Sequence, residues 1–303
     1  MAQDGETLYL PEEIITNILK RLPMRVLQFQ NVPWKAEFRV VGSCNGLLCI
    51  RLFDLSCLLW NPATREVISI PKPLNFFGRV DLICDGFGFH PIVNDYRIVR
   101  LHACQFDGVY GVQVFSVSTG SWKEVKSGNL KGVRICTSDG FRFNGAIFWL
   151  GTKNDCRLIV SFDIVMEVFT LIPMPTPNSK YGTSFIVYEN KLAILYPPLT
   201  GPPLIELWVM EESTGSSWTK RYTYCSPYSS CLLIPMAFWR NGIVCYIGKV
   251  ENDSAKTVLI NPTTNEFQMI DLCRPDHSHF VFDYAESLVS ISNIHAEEQS
   301  PQS

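Results

Sequence analysis

The chain has 303 residues, of which 47% are apolar and 12% aromatic, enough for one large domain with a sizeable core. Only 18% are charged and the net charge is −3, which leaves no electrostatic footprint for nucleic acid or an anionic membrane. The longest apolar run, near residues 231–239, is too short for a membrane span and contains Pro235. The first six residues hold neither a basic nor an apolar leader, so no secretory signal is expected.

Residues 10–23 read Leu-Pro-Glu-Glu-Ile-Ile-Thr-Asn-Ile-Leu-Lys-Arg-Leu-Pro. The pattern predicts a helix. Pro11 suits the first turn, where its missing N–H has no partner to lose. Glu12 and Glu13 sit at the positive end of the helix dipole, and Lys20 and Arg21 at the negative end. Ile14, Ile15, Ile18, Leu19 and Leu22 form one apolar stripe, and Pro23 ends the helix. A lone amphipathic helix of about a dozen residues is marginal in water, so the stripe must bury itself against something. Residues 24–33 add Met24, Val26, Leu27, Phe29 and Val32, enough for a short second helix before Pro33.

From Phe38 onward helical periodicity is nowhere sustained. Residues 112–117, 147–150, 158–162, 192–196, 205–210, 243–247 and 258–260 are β-branched and aromatic runs. Asn-Gly at 45, 144 and 241 is the strongest short hairpin signal. These turns repeat at steps of 99 and 97 residues, with Asn94-Asp95 and Asn190-Lys191 filling the gaps. A second series of turns starts at 61, 118, 163, 213 and 261, stepping by 57, 45, 50 and 48. Within it, Asn61-Pro62-x-Thr64-x-Glu66 returns as Asn261-Pro262-x-Thr264-x-Glu266, and Ser118-Thr119-Gly120-Ser121-Trp122 as Ser213-Thr214-Gly215-Ser216-Ser217-Trp218. A unit near 50 residues with about four short strands is the period of a propeller blade. Such a blade has two apolar faces and must stack on its neighbours. Trp60, Trp122, Trp149, Trp208, Trp218 and Trp239 are accordingly expected as blade-to-blade core. Residues 280–284 and 288–291 are expected to close the ring by pairing with the strand at 38–41.

Several stretches resemble a known family. The string at 10–23 is similar to the opening of the plant F-box. Val41-Gly42-Ser43-Cys44-Asn45-Gly46-Leu47-Leu48-Cys49, Leu59-Trp60-Asn61-Pro62-Ala63-Thr64-Arg65-Glu66 and Phe87-Gly88-Phe89-His90-Pro91 resemble the F-box-associated, kelch-like domain that follows it. The resemblance implies a partial F-box over 1–33, a mainly β, kelch-like β-propeller of about five to six blades over 38–292, and a disordered tail over 293–303. It implies that Leu10, Pro11, Ile14, Ile15, Ile18, Leu22 and Pro23 dock on the Skp-type adaptor of a cullin complex. The propeller would then hold a target protein for ubiquitination, with no cofactor, in the cytosol or nucleus. One departure matters. An F-box normally continues through a second helix with a Val-Cys-Lys-Ser-Trp-like string into a third, whereas this chain reads Gln28-Phe29-Gln30-Asn31-Val32-Pro33-Trp34-Lys35 and is in the associated domain by Val40. A block is missing near Gln30 and Asn31. A stand-alone propeller that binds targets as a decoy is therefore an alternative.

Catalytic constellations are thin. Gly86-Phe87-Gly88-Phe89-His90-Pro91 is too short and apolar to cradle a phosphate. Cys273, Asp276, His277 and His279 lack the second Cys/His pair of a zinc template, and there is no Gly-x-Ser-x-Gly elbow. The Ser-Thr-Gly-Ser-Trp turns echo the boxes of sialidase-like propellers but lack the aspartate. The arginines are too dispersed to nominate a carboxylate-binding cluster, so a propeller hydrolase is the lesser alternative and no enzyme is expected. Eleven scattered cysteines read as buried reduced thiols, and Asn252-Asp253-Ser254 as an unmodified turn. Target contacts are expected on the Pro-rich connectors 75–79, 173–181, 197–203 and 224–230, which carry side chains favoured at interfaces.

Overall fold

The computed structural model describes residues 38–52, 54–73, 82–104, 107–175, 182–197, 204–211, 217–225, 231–239, 242–249, 252–261, 264, 266–270 and 285–291. The two helices expected before Pro33 and the tail after residue 292 lie outside these. The described residues form five antiparallel sheets whose strands follow chain order. The first sheet holds β1 (Phe38–Cys44), β2 (Leu47–Leu52), β3 (Cys57–Asn61) and β4 (Glu66–Ile70). The second holds β5 (Leu82–His90), β6 (Asp95–Cys104), β7 (Gly108–Ser116) and β8 (Ser121–Glu124). In the third, β9 (Arg134–Ile135) pairs with β11 beside the path β10 (Phe141–Phe143), β11 (Ala146–Lys153), β12 (Cys156–Asp163) and β13 (Val168–Pro173). The fourth runs β14 (Ser184–Tyr188), β15 (Lys191–Tyr196), β16 (Leu204–Met210) and β17 (Trp218–Cys225). The fifth runs β18 (Cys231–Trp239), β19 (Gly242–Lys249), β20 (Asn252–Ile260) and β21 (Phe267–Ile270). This is the blade repeat of a β-propeller.

Both series of turns fall where the period places them. The Asn-Gly series joins first to second strands. Asn45 and Gly46 have φ 48° and 80°, and Asn144 and Gly145 have 46° and 78°, the mirror-image turn that matches strand twist. The other series joins third to fourth strands, and an Asn or Asp side chain organises it. Asn61 Oδ1 accepts from the N–H of Ala63 at 2.9 Å, and Asp163 Oδ1 from those of Val165 and Met166 at 2.8 Å. Asn261 Oδ1 accepts from Thr264 N–H at 3.3 Å. The sequon Asn252-Asp253-Ser254 lies in β20 rather than in a turn, since Asn252 opens that strand opposite Lys249.

The chain divides into two compact units, residues 1–171 with 282–303, and residues 172–281. In the first, Val41, Cys49 and Leu59 pack against Phe87, Ile98 and Phe115 of the second sheet. The other face of that sheet, with Val99, Leu101 and Val114, packs against Ile147, Trp149 and Phe162 of the third. In the second unit, Ile186, Leu195 and Leu207 share a core with Ile243, Val258 and Ile260. Trp60 and Trp149 are buried as expected. Trp122 and Trp218 are half-buried and act by hydrogen bonding, the indole N–H donating to Pro71 O at 2.6 Å and to Pro173 O at 3.2 Å respectively. Close approach of sheets requires glycine at two positions. A Cβ on Gly86 would lie 2.6 Å from Ile147 Cγ2 and from Trp149, and one on Gly140 would lie 2.4 Å from Ile147 Cγ2.

The pairing expected of 288–291 with β1 is corrected. Residues 280–284 lie outside the described residues, and 285–291 form no strand. They are strapped to the β3–β4 turn by two side chains instead. Asn61 Nδ2 donates to Ser287 O at 3.0 Å and Val289 O at 2.6 Å. Glu66 accepts from Ser290 Oγ and from Ile291 N–H, each at 2.8 Å. Ile291 is fully buried in the core shared by the first two sheets.

Asn61→Ala removes buried bonds worth about 1 kcal/mol each and orphans the strap carbonyls, so a loss of about 2–3 kcal/mol is expected. Amides of 287–291 should exchange faster, and a variant with unchanged exchange there would refute the clamp. For Gly86→Ala, overpacking against Ile147 and Trp149 is expected to cost about 1–3 kcal/mol by urea denaturation.

Candidate functional site

The predicted adaptor-binding residues Leu10, Pro11, Ile14, Ile15, Ile18, Leu22 and Pro23 lie outside the described residues. So do Cys273, Asp276, His277 and His279, and most of the four connectors expected to meet a target. The connectors 75–79 and 173–181 join the fourth strand of one sheet to the first of the next, and 224–230 joins β17 to β18 in the same way. Among the described residues no group of three or more His, Cys, Asp or Glu could hold a metal ion. The segment 86–91 is the end of β5 and its first turn residue, not a loop that could wrap a phosphate.

The expectation of dispersed arginines is overturned. Strand register places Arg39 opposite Arg51 on β1 and β2, and Asp85 opposite Arg100 on β5 and β6. Like charges facing across a pair destabilise a sheet, and opposite charges stabilise it. Here the packing of β1 on β5 brings the two pairs together. Arg100 grips Asp85 with two nitrogens, at 2.8 and 3.1 Å, and Arg51 adds a third contact at 3.0 Å. Arg51 then reaches Asp139 at 3.5 Å, and Arg39 reaches it at 3.3 Å. Arg39 also donates to Ser138 Oγ. The result is an alternating chain, Arg100–Asp85–Arg51–Asp139–Arg39, joining three sheets through β1, β2, β5, β6 and the segment before β10. The backbone reinforces it. Asp85 N–H donates to Ser138 O at 3.0 Å, and Gly140 N–H to Asp85 O at 2.7 Å.

The electrostatics follow from burial and pairing. Burial would lower the Arg51 pKa, but Asp85 and Asp139 outweigh it and hold the guanidinium charged. Burial raises Asp139 above its ordinary 3.8, and Arg51 and Arg39 only partly oppose this. Burial lowers His102, whose Nε2 lies 2.8 Å from Gln113 Oε1, so it stays neutral at physiological pH. Cys84 is pushed up to about 12 by burial and by Asp85, so its thiol stays protonated. Cys44, Cys49, Cys57, Cys84, Cys104 and Cys245 are buried; Cys136 and Cys156 are exposed.

Chemically, the chain of charges alternates from buried Arg100 to partly exposed Arg39. Each carboxylate already faces at least one guanidinium, so the cluster is suited to fixing three sheets, not to receiving a substrate carboxylate. The Ser-Thr-Gly-Ser-Trp turn also has its aspartate, supplied from across the sheet. Asp95 on β6 accepts from Ser116 Oγ at 2.6 Å and from Ser118 N–H at 2.8 Å. No local sequence pattern could have revealed either arrangement, because both depend on register between strands far apart in the chain.

The fold is that of a β-propeller scaffold, and the Arg–Asp cluster ties three of its sheets together. The family model of the F-box associated beta propeller domain matches residues 20–294, and the chain belongs to that family. "F-box protein At3g07870" of Arabidopsis thaliana is 26% identical over 73% of this chain and 60% of its own length. "Putative F-box protein At3g10240" of the same plant is 23% identical over 78% of this chain and 60% of its own length. The chain thus spans less than two thirds of the length of these relatives. Among solved structures, a chain of a nidogen/laminin complex superposes with TM-score 0.48 at 10% identity, covering 83% of this chain and 84% of that one.

Replacing Asp85 with Ala strands two buried arginines, and a loss of about 3–5 kcal/mol is expected. Asp139 gives a pH signature. Its folded pKa is raised, so its contribution is fully present below the ordinary 3.8 and is lost as pH rises through the folded value. Asp139→Asn should flatten the fall of the urea midpoint in that window above pH 3.8; an unchanged slope would count against the assignment.

Proposed function

We propose that the chain is a target-recognition subunit of a cullin-based ubiquitin ligase, with the propeller holding a target protein and residues 10–23 meeting a Skp-type adaptor. The observation that carries this reading is the family match over 20–294 behind the string Leu10-Pro11 … Leu22-Pro23. Such a subunit performs no chemistry of its own; it positions a target for a cullin-bound partner. The Arg–Asp chain supports a binding role, because its charges are spent on the scaffold.

A second reading has its own observation. Only residues 24–37 separate Pro23 from β1, which leaves room for a shortened second helix of an F-box but not for the third. The adaptor surface then rests on one helix and a shortened second. Ordering an unsupported segment costs on the order of 1–2 kcal/mol per residue, drawn from the binding energy. With one or two hot spots lost at ~2 kcal/mol each, the complex is expected to be weaker than that of an intact F-box by roughly 10²–10⁴-fold. A chain of this kind captures targets without delivering them and competes with full-length relatives. Titration calorimetry against a Skp-type adaptor tests both readings. Affinity equal to an intact F-box would falsify the weakening, and no heat at all, unaffected by Ile14→Asp and Ile18→Asp, would remove the adaptor role.

A further inference from the structure

One connector between sheets is described throughout. Residues 125–140 lead from β8 of the second sheet to β10 of the third, and they are not among the Pro-rich connectors that the sequence pattern singles out. The segment divides its side chains between two environments. Leu130, Val133 and Ile135 are buried in the core shared by the two sheets. Lys126, Lys131 and Arg134 are exposed.

The backbone is fixed to both sheets. Val109 N–H donates to Val133 O at 2.8 Å, and Cys136 N–H to Leu150 O at 2.7 Å. Asn129 Nδ2 donates to Phe169 O at 2.6 Å. A Cβ on Gly108 would lie 2.4 Å from Val133 O, so the start of β7 lies tight against the connector. A ridge held in this way displays its outward side chains with little backbone entropy left to lose on binding.

Register extends the ridge onto the third sheet. Arg134 on β9 and Arg157 on β12 both pair with Thr152 on β11, one on each side. The two arginines therefore share a face, with backbones two strand spacings, about 10 Å, apart. Beside Thr152, Lys153 Nζ reaches the Asn129 carbonyl at 3.5 Å.

The charges favour one chemistry. Asp139, near the far end of the connector, is taken up by Arg39 and Arg51. Outside that cluster, the connector and the strand ends beside it carry Lys126, Lys131, Arg134, Lys153 and Arg157 against Asp107, Glu124 and Asp155. Five cations face three carboxylates, an excess of two positive charges on a chain whose net charge is −3. Among the described residues the one ion pair here joins Arg134 to Asp155 at 3.1 Å, and that carboxylate is itself 96% exposed. Arg134 and Arg157 stand on either side of Thr152 rather than converging on one point. That spacing suits separate carboxylates on an extended chain, which rises about 3.3 Å per residue, better than a single phosphate. The interspersed acids disfavour a nucleic-acid backbone.

We propose that this ridge is a docking surface for an extended, Asp/Glu-rich segment of the target protein. Arg134 and Arg157 meet carboxylates about two to four residues apart, and Lys126, Lys131 and Lys153 flank them. The inference rests on the target-recognition reading above and names the class of segment that the target presents.

The test uses the full chain as bait for a phage-displayed library of random dodecapeptides, with Arg134→Glu/Arg157→Glu selected in parallel. Wild type is expected to enrich peptides with several Asp or Glu, and the reversed pair to enrich Lys and Arg instead. An unfolded variant could not give that inversion. A synthesised wild-type peptide is then titrated. The reversed pair should weaken it about 10-fold or more and Lys131→Glu roughly 3–10-fold. Arg65→Glu, in the β3–β4 turn of the first sheet, should leave it unchanged, and added salt should weaken it. Lys131 makes no side-chain bond among the described residues, so its variant stays informative if loss of the Arg134–Asp155 pair disturbs the ridge. Peptides without an acidic excess, peptides indifferent to the reversals, or no binder from the library would each overturn the proposal. So would tighter binding of a single-phosphoserine peptide or of a duplex oligonucleotide, and so would self-association abolished by the reversed pair, which would assign the ridge to a second copy of the chain. Adaptor titration involves residues 10–23 and not this ridge, so its outcome separates failure of the docking surface from failure of the ligase reading.

Discussion

The first two sheets of this protein are apolar on both faces, and neither face can be left in water. In the first sheet β3 is buried at all five positions and β2 at five of six. Burying one side chain of this kind is worth about 1.5–3 kcal/mol, so the cost of an uncovered face exceeds any single polar contact. Stacking solves this. It also sets the subsidiary demands: first strands must approach closely enough that Gly86 and Gly140 have no room for a methyl, and charges trapped where they meet must be paired. The alternating Arg–Asp chain meets the second demand. Such a cluster adds little net stability over an apolar one, but with its members on β1, β2, β5, β6 and the segment before β10 it admits only one alignment of three sheets.

The same constraint governs what could be read from the sequence. All seven apolar runs prove to be second or third strands, from β7 and β11 to β19 and β20. Those strands are paired on both edges and covered on both faces, so they read as continuous apolar stretches. Fourth strands are edges, and edges are kept short and polar. Ser121–Glu124 is mostly exposed, and no periodicity marks it. Turns were legible for a different reason. A left-handed backbone at Asn45, Asn94 and Asn144 restricts the residue choice, so the blade period survives in the asparagines.

The strap and the charge pairing were not legible, and both failures have one cause. Asn61 and Glu66 are visible in the sequence as parts of a repeated turn, but that turn is satisfied locally by Thr64 N–H and Thr64 Oγ1. Nothing in it announces that the remaining amide and carboxylate oxygens will hold a segment some 226 residues away. Arg39, Arg51 and Arg100 are likewise dispersed until register pairs the first two and packing adds Asp85. Chain pattern reports a residue's own strand; it is silent on which strand faces it.

The strap shows one turn acting at two places in the chain. A propeller closed by strand pairing hides its final segment inside a sheet. Here the segment 285–291 is held to the first sheet by side chains, so it stays on that sheet's end without becoming a strand. Ile291 joins the core while Leu288 is displayed. The polar groups of one turn therefore serve two ends: they satisfy their own turn, and they fix the backbone of a segment far along the chain. Both the strap and the connector 125–140 depend on the blade scaffold alone, so they would persist in a chain whose F-box is shortened. On the function proposed above, target capture and adaptor docking would reside in different segments of one polypeptide.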